Sequence, residues 1–387
     1  MQRINERLLN WASILDEQTR RQAITASGMP FIYPHIALMP DAHLGKGATV
    51  GSVLPTVGAI MPAAVGVDIG CGMMAVRTQY LGSRLTGDPQ RLHAAISSAI
   101  PLSAGKYNTG VRAEHTRRRI DELAAMPGVA QAEQVSPNWS LQLGSLGSGN
   151  HFIEVSLDSH DRVWLFLHSG SRGVGNKLAG KHIRVAQQLC RRRTADLPHP
   201  DLAYLEEGEP EFDEYAEALR WAQHFALLNR AEMMDRLVAA FERWQDGPIE
   251  ATGVVNCHHN YTESEEHFGR RVWVSRKGAI SARAGEPGLI PGSMGTASYV
   301  VAGRGNPLSL CSAPHGAGRN YSRSAARRRF TRADLDRRMA GIAWGRSDAF
   351  LDEHPDAYKD IDQVMADAAD LVEIRHTLRQ IVNVKGD

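Results

Sequence analysis

Several of the chain's sixteen histidines and four cysteines stand beside glycine in short polar motifs. VGVDIGCGM sets Asp68 three residues before Cys71 in a glycine-rich turn, where a carboxylate and a thiolate can face one cation. Imidazoles come from His151 in GSGNHFIE, from His168 closing VWLFLHSG, and from the pair His258–His259 in NCHHN. Neighbouring side chains on a strand point to opposite faces, so at most one of that pair faces a shared site. Taken singly, each of these residues reads as packing or as a hydrogen-bonded strand end. Taken together, Asp68, Cys71, His151, His168 and one of His258 or His259 make a five-ligand set that holds two ions if the thiolate bridges. Thiolate and imidazole suit zinc, while a carboxylate with open water positions also admits manganese.

Anion-binding signals overlap this set. HSGSRGVGN offers backbone N–H groups, two hydroxyls and Arg172 at an expected helix start, a combination that cradles phosphate. PGSMGTAS brings Ser293 and Ser298 in a second glycine-rich turn, and no GxxxxGK[ST] loop is present. In HGAGRNYSRSAAR, Arg319, Arg323 and Arg327 recur every four residues, which on a helix lines them along one face for successive phosphates. His315, just upstream and flanked by glycine, has little bulk around it and suits a general base, a ligand or a nucleophile. Lys385 follows the apolar VNV, so a docked tail would hold it inward.

Positioning these residues takes a frame. Helical spacing marks 5–25, 87–99, 113–125, 177–194 and 211–245, with 359–381 as a final helix and its exit. Val- and Ile-rich runs at 35–39, 50–60, 63–69, 163–168, 271–274 and 298–302 read as strands. The polar motifs fall at the ends of these runs. One mixed α/β domain with a composite site is therefore expected, the helix-rich stretches 81–140 and 176–250 being insertions around it. With 43% hydrophobic residues and 44 Lys+Arg against 43 Asp+Glu, the composition excludes a disordered chain. No apolar run reaches the roughly 18 residues of a membrane span, so no membrane partner is expected. Four scattered cysteines and a start without an apolar leader point to reduced thiols in the cytoplasm. The arginine triplets 117–119, 191–193 and 327–329 read first as solvated helix faces.

Ten motifs, in order from about residue 30 onward, resemble those of the RtcB RNA-splicing ligases. They are MPDAHLGKG (39–47), PAAVGVDIGCGM (62–73), LGSGNHFIE (146–154), LHSGSRGVGN (167–176), NCHHNY (256–261), RKGAISARAG (276–285), IPGSMGTASYVV (290–301), HGAGRNYSR (315–323), AYKDID (357–362) and VKG (384–386). The resemblance implies a single-domain RtcB-type α/β fold spanning 1–387 around a two-manganese centre. Cys71 would bridge the ions, with Asp68 and His151 on one and His168 and His259 on the other. His315 matches the family's nucleophile, which takes GMP from GTP. Asn150 and Ser293 would contact phosphate or metal-bound oxygens, and Phe152 and Tyr358 would sandwich guanine. Glu154 and Lys385 would bond the guanine edge, Ser298 would line its pocket, and Ala317 and Gly318 would meet the ribose through their backbone. Arg319 and Arg323 would hold RNA phosphates; Asp41, His43 and Lys46 belong to a motif whose role the resemblance leaves open. The implied reaction joins RNA 3′-phosphate or 2′,3′-cyclic phosphate ends to 5′-hydroxyl ends, in tRNA splicing or RNA repair. Whether an activating protein takes part stays open. Pro314 stands directly before His315, where the family pattern has a small polar residue or Cys, and 101–140 matches none of the pattern. The residues leave two rivals: a dinuclear metal phosphoesterase on RNA ends, which needs no covalent histidine, and a non-catalytic RNA-binding factor.

Overall fold

Two sheets carry the frame of the computed structural model, which describes residues 1–111, 113–193 and 196–386. The larger runs, edge to edge, through Ala251–His258, Gly72–Leu81, Arg162–Ser169, Phe152–Leu157, Val372–Lys385, Ser298–Gly303 and Pro287–Ile290, with Ala343–Trp344 added beside Val372–Lys385. The smaller orders Gln2–Asn5, Leu8–Asn10, Ile36–His43, Val50–Thr56, Arg270–Lys277 and Asn260–His267.

The period-2 alternation of strands decides what each face touches. Met73, Ala75, Trp164 and Phe166 point inward and share one core with Met39, Val53, Val272 and Val274 of the smaller sheet. Their neighbours Val76, Val163, Leu165 and Leu167 point outward against Leu92 and Ile96 of the Pro89–Ala99 helix and Met233, Leu237 and Phe241 of the Pro210–Gln245 helix. Full burial of each such side chain stabilises by roughly 1.5–3 kcal/mol. The Glu17–Ser27 helix covers the outer face of the smaller sheet through Ala23 and Ala26.

The same alternation carries the polar residues inward. His168 follows Trp164 and Phe166 at even spacing, and it pairs in register with Met73 on one side and Phe152 on the other. Phe152 stands opposite Lys385, and Glu154 opposite Asn383. One end of the inner face thus gathers imidazole, carboxylate, aromatic ring and amine from three strands.

The long helix expected at 211–245 spans Pro210–Gln245, and the helices expected at 87–99 and 113–125 span Pro89–Ala99 and Glu114–Ala124. The helix expected at 177–194 begins earlier, as Arg172–Arg192; Thr194 lies outside the described residues. Three expectations fail. Residues 5–25 hold the end of one strand, a second strand and only then a helix, whose start is set by Asp16 accepting the Thr19 N–H. The run 63–69 is a short helix, Pro62–Val65, stopped at Gly66 with φ 97°. The final helix ends at Asp367, and Val372–Lys385 is a fourteen-residue strand held between neighbours on both sides, where β-branched Val, Ile and Thr fit the pleat. Among the described residues no helix is long and apolar enough to cross a membrane.

Candidate metal and nucleotide centre

The Asp68–Cys71 turn is shaped by backbone contacts. Cys71 N–H donates to Asp68 O at 3.1 Å, and Gly70, at φ 70°, lies so close to the long helix that a Cβ there would meet Ala226 Cβ at 2.8 Å and Gln223 Cα at 2.9 Å. That helix also sends in Arg230, fully buried, which donates to Gly70 O at 2.8 Å and Ser169 O at 3.2 Å and so ties the turn to the end of the His168 strand.

Cys71 Sγ then lies 3.3 Å from His151 Nε2 and 3.2 Å from His168 Nε2. Asp68 Oδ2 is 3.0 Å from His151 Nε2, and His168 Nε2 is 2.8 Å from His259 Nε2. His151 Nδ1 is bonded to Leu146 O at 3.0 Å and His168 Nδ1 to Asn150 O at 3.1 Å. A carbonyl oxygen can only accept, so His168 Nδ1 carries the proton and its Nε2 turns a lone pair toward Cys71, as metal-bound histidines do. His151 Nδ1 also has Arg172 Nη1 at 3.1 Å, and its Nε2 faces both Asp68 and Cys71. His258 turns away, bonding Gly70 O through Nδ1 at 2.8 Å.

The electrostatics suit a cation. Burial holds His168 and His259 neutral, far below the usual imidazole range. Burial raises the Asp68 carboxyl, but the hydrogen bond and charge of His151, with Arg172 beyond it, outweigh this and bring it to about 2. Burial and then the Asp68 charge push the Cys71 thiol well up, so a thiolate here requires a compensating positive ion. Cys71, His151 and His168 bring their ligand atoms close enough to hold one ion, with Asp68 beside His151 and His259 beside His168, and the thiol sulfur touches one histidine of each pair.

His315 lies beside this cluster, its ring centroid 4.7 Å from that of His259. Its Nδ1 is 2.6 Å from Oδ2 of the fully buried Asp41, and the same oxygen accepts the backbone N–H groups of His315 at 3.1 Å and Gly316 at 3.2 Å. Pro314 ends the strand Ser312–Pro314 opposite Ala279 and leaves these bonds intact.

A cavity of about 330 Å³ opens in front of His315, His168 and His259. Asn150, Phe152, Glu154, Ser293, Ala317, Gly318, Tyr358 and Lys385 all line it. Ser298 stands behind Glu154, its hydroxyl 3.4 Å from Oε2, and Asn383 donates to the other carboxylate oxygen at 3.3 Å. Burial lifts the Glu154 carboxyl to about 8 against the opposing pull of Lys385, Ser298 and Asn383. Lys277 also faces the cavity, and burial brings its amine down to about 7.

The profile of the family described as tRNA-splicing ligase RtcB matches residues 22–386. The RNA-splicing ligase RtcB of Escherichia coli K12 is 47% identical, over 96% of this chain and 95% of its own. The tRNA-splicing ligase RtcB of Pyrobaculum aerophilum is 30% identical over 94% and 90%, and the RNA-splicing ligase RtcB of Mycobacterium bovis 30% over 89% and 94%. The chain belongs to the RtcB family of RNA-splicing ligases.

This RtcB chain departs from the residue-level reading at the arginines. The helix begins only at Arg323, capped by Ser322, so Arg319 is not on one helical face with Arg323 and Arg327. Arg319 turns inward: it donates to Tyr321 O at 3.0 Å, Tyr358 Oη at 2.9 Å, Glu353 Oε1 at 3.2 Å and Asp352 O at 2.6 Å, and stacks over the Tyr358 ring at 4.8 Å. Arg323 and Arg327 share Asp352, at 3.3 and 2.8 Å, and both stay half exposed. Lys385 is held inward as expected, 3.2 Å from Glu353 Oε2. The roles of Asp41, Glu353 and Arg230 were missed. The polar pair Asn229–Arg230 inside the apolar FALLNRAEMM was a usable signal; the acids of LDEHP looked like any solvated pair.

Proposed function

We propose that this RtcB ligase joins an RNA 3′-phosphate, or a 2′,3′-cyclic phosphate first hydrolysed to it, to a 5′-hydroxyl, with GTP as the activating substrate. The observation that carries the reading is the Asp41–His315 pair at 2.6 Å. In this reading the Asp41 carboxylate beside Nδ1 favours the proton there, which leaves the lone pair on Nε2 for the cavity. Nε2 attacks the α-phosphorus of GTP, the bond to pyrophosphate breaks, and GMP stays on the histidine. An oxygen of the RNA 3′-phosphate then takes the GMP and frees His315. Last, the 5′-hydroxyl oxygen attacks the activated phosphorus, the bond to GMP breaks, and the hydroxyl proton leaves with the departing GMP phosphate or to water.

Asp68, Cys71, His151, His168 and His259 would hold the ions, two manganese ions in this reading. When bound they neutralise charge on the phosphate oxygens. Phe152 and Tyr358 sandwich guanine, Glu154 and Lys385 read its edge, and Ser298 and Asn383 steady Glu154. Ala317 and Gly318 meet the ribose, while Asn150 and Ser293 take phosphate. Arg319, its donors committed to Glu353, Asp352 and the Tyr358 hydroxyl, stiffens the wall, and Arg323 keeps free donors for RNA phosphate.

The test is covalent labelling. Purified protein is incubated with manganese and α-labelled GTP, denatured, and then offered RNA with 3′-phosphate and 5′-hydroxyl ends. An acid-labile, base-stable label that RNA chases off, with joined RNA as product, is expected. Phosphate release from RNA ends without GTP would instead establish the phosphoesterase.

Glu154 gives a pH-dependent prediction. With its carboxyl at about 8, it is mostly protonated at pH 7, whereas guanine offers two N–H donors that need the ionised form. GTP binding at pH 7 should therefore release close to one proton, and affinity should rise by up to about tenfold per pH unit until pH 8 and level off above it. Calorimetry in buffers of different ionisation enthalpy measures this. In Glu154→Gln the release should vanish; wild-type binding without proton release would remove Glu154 from the base site.

A further inference from the structure

Eight arginines lie between residues 319 and 338. Six have carboxylate partners: Arg319, Arg323 and Arg327 with Asp352 and Glu353, and the three on the following helix with Asp334, Asp336, Asp348 and Asp356. Among the described residues, Arg328 and Arg329 have none, and both are exposed. Arg329 is not loose, however. Its guanidinium lies 5.0 Å over the Tyr321 ring and 5.9 Å from the Phe330 ring. Phe330 is itself backed by the buried His354, stacked at 4.2 Å with planes 6° apart. Tyr321 stands two residues before Arg323, which lines the cavity mouth.

We propose that Tyr321, Arg328, Arg329 and Phe330 form the track on which single-stranded RNA runs out of the cavity that holds its reacting end. The proposal rests on the ligase reading and adds where the strand goes. Two uncompensated charges supply phosphate contacts, and the Arg329–Tyr321 stack offers a flat surface for a base. A stacked surface of this kind needs unpaired bases, so the occupant is a single strand and not a duplex. Continuity with the cavity through Arg323 sets the order: the terminal phosphate lies inside, the next nucleotides on the track.

The experiment compares wild type with Arg328→Gln/Arg329→Gln and, separately, Tyr321→Ala. Fluorescence anisotropy reads binding of a 12-nucleotide single strand with a 3′-phosphate across a salt series, with a 3-nucleotide strand beside it. GTP self-labelling, which needs no RNA, is measured on the same preparations. The double variant should bind the 12-mer about tenfold more weakly at low salt, and its log–log salt slope should shrink by about 1.4, at roughly 0.7 per lost contact. Tyr321→Ala should lose about tenfold with the slope kept, as removal of a base stack does. The 3-mer and self-labelling should stay at wild-type values. Unchanged 12-mer affinity and slope in both variants overturns the track, and leaves the ligase reading standing if self-labelling persists. Wild type that takes no label while the double variant still loses the 12-mer removes the ligase reading and keeps the track. A double variant whose oligomeric state falls while its RNA affinity holds makes the patch a protein contact and overturns the proposal.

Discussion

Asp41→Ala is expected to slow formation of the GMP adduct by roughly 10³-fold, and His315→Ala to abolish it. The two losses have different causes. On the proposed reading, His315→Ala removes the atom to which GMP becomes attached, so nothing can be trapped whatever the nucleotide affinity. Asp41→Ala leaves the imidazole but removes the single oxygen on which Nδ1 and the backbone N–H groups of His315 and Gly316 converge. The ring is then free to carry its proton on Nε2, which blocks attack, and to rotate; loss of an orienting carboxylate behind a catalytic histidine costs up to about 10⁴-fold. Asp41→Asn separates charge from orientation. An amide that turns its NH2 toward His315 accepts no proton from Nδ1 and favours the Nε2–H tautomer, the change that costs about 10⁴-fold in an Asp–His pair, so it should recover little of the rate lost in Asp41→Ala. Single-turnover labelling with α-labelled GTP at saturating nucleotide and manganese gives the three rates. Equal rates for Asp41→Ala and wild type would sink the tautomer argument.

The order of these variants could not be read from the sequence. MPDAHLGKG marks Asp41 as part of a motif, yet its partner lies 274 residues away, and only the folded chain brings them together. The same holds for Glu353, whose contacts with Arg319, Tyr358 and Lys385 make it the centre of one wall of the cavity. What was legible was local. Glycine-flanked Asp, Cys and His announced residues that the fold does gather around Cys71, and the apolar spacing of 211–245 announced a helix that spans Pro210–Gln245. His259 over His258 was half legible, because strand alternation allowed one of the two and the resemblance chose which. The tail was misread because LVEIRHTLRQ carries apolar residues at spacings that fit a helix nearly as well as a strand. Its neighbours settle the matter: Ser298–Gly303 and Phe152–Leu157 flank it, and their hydrogen bonds override local preference. Assigning nucleotide roles to Phe152, Glu154 and Lys385 needed the family resemblance, since no spacing rule joins residues 152 and 385.

On the proposed two-ion reading, Cys71→Ser should lose both ions together, whereas Asp68→Ala and His259→Ala should each weaken one. Sγ is the donor within reach of both pairs, 3.3 Å from His151 Nε2 and 3.2 Å from His168 Nε2. Asp68 meets only the His151 side and His259 only the His168 side. A serine hydroxyl is about the right size but holds its proton far more tightly than a thiol, so it cannot supply the bridging negative charge between two cations. A loss of at least about 100-fold in affinity is expected for Cys71→Ser, beyond the roughly 10–100-fold typical of a lost supporting contact. Manganese titration followed by electron paramagnetic resonance counts the bound ions directly, with no reliance on turnover. The pH dependence has a fixed sign. Burial and Asp68 push the Cys71 thiol well up, so the proton must leave as the cation enters. Affinity in wild type should therefore rise with pH through the neutral range, by up to about tenfold per unit, and Cys71→Ser should flatten that rise. Cys71→Ser binding two ions at wild-type affinity would show that the sulfur does not bridge, and the two pairs would then be independent sites.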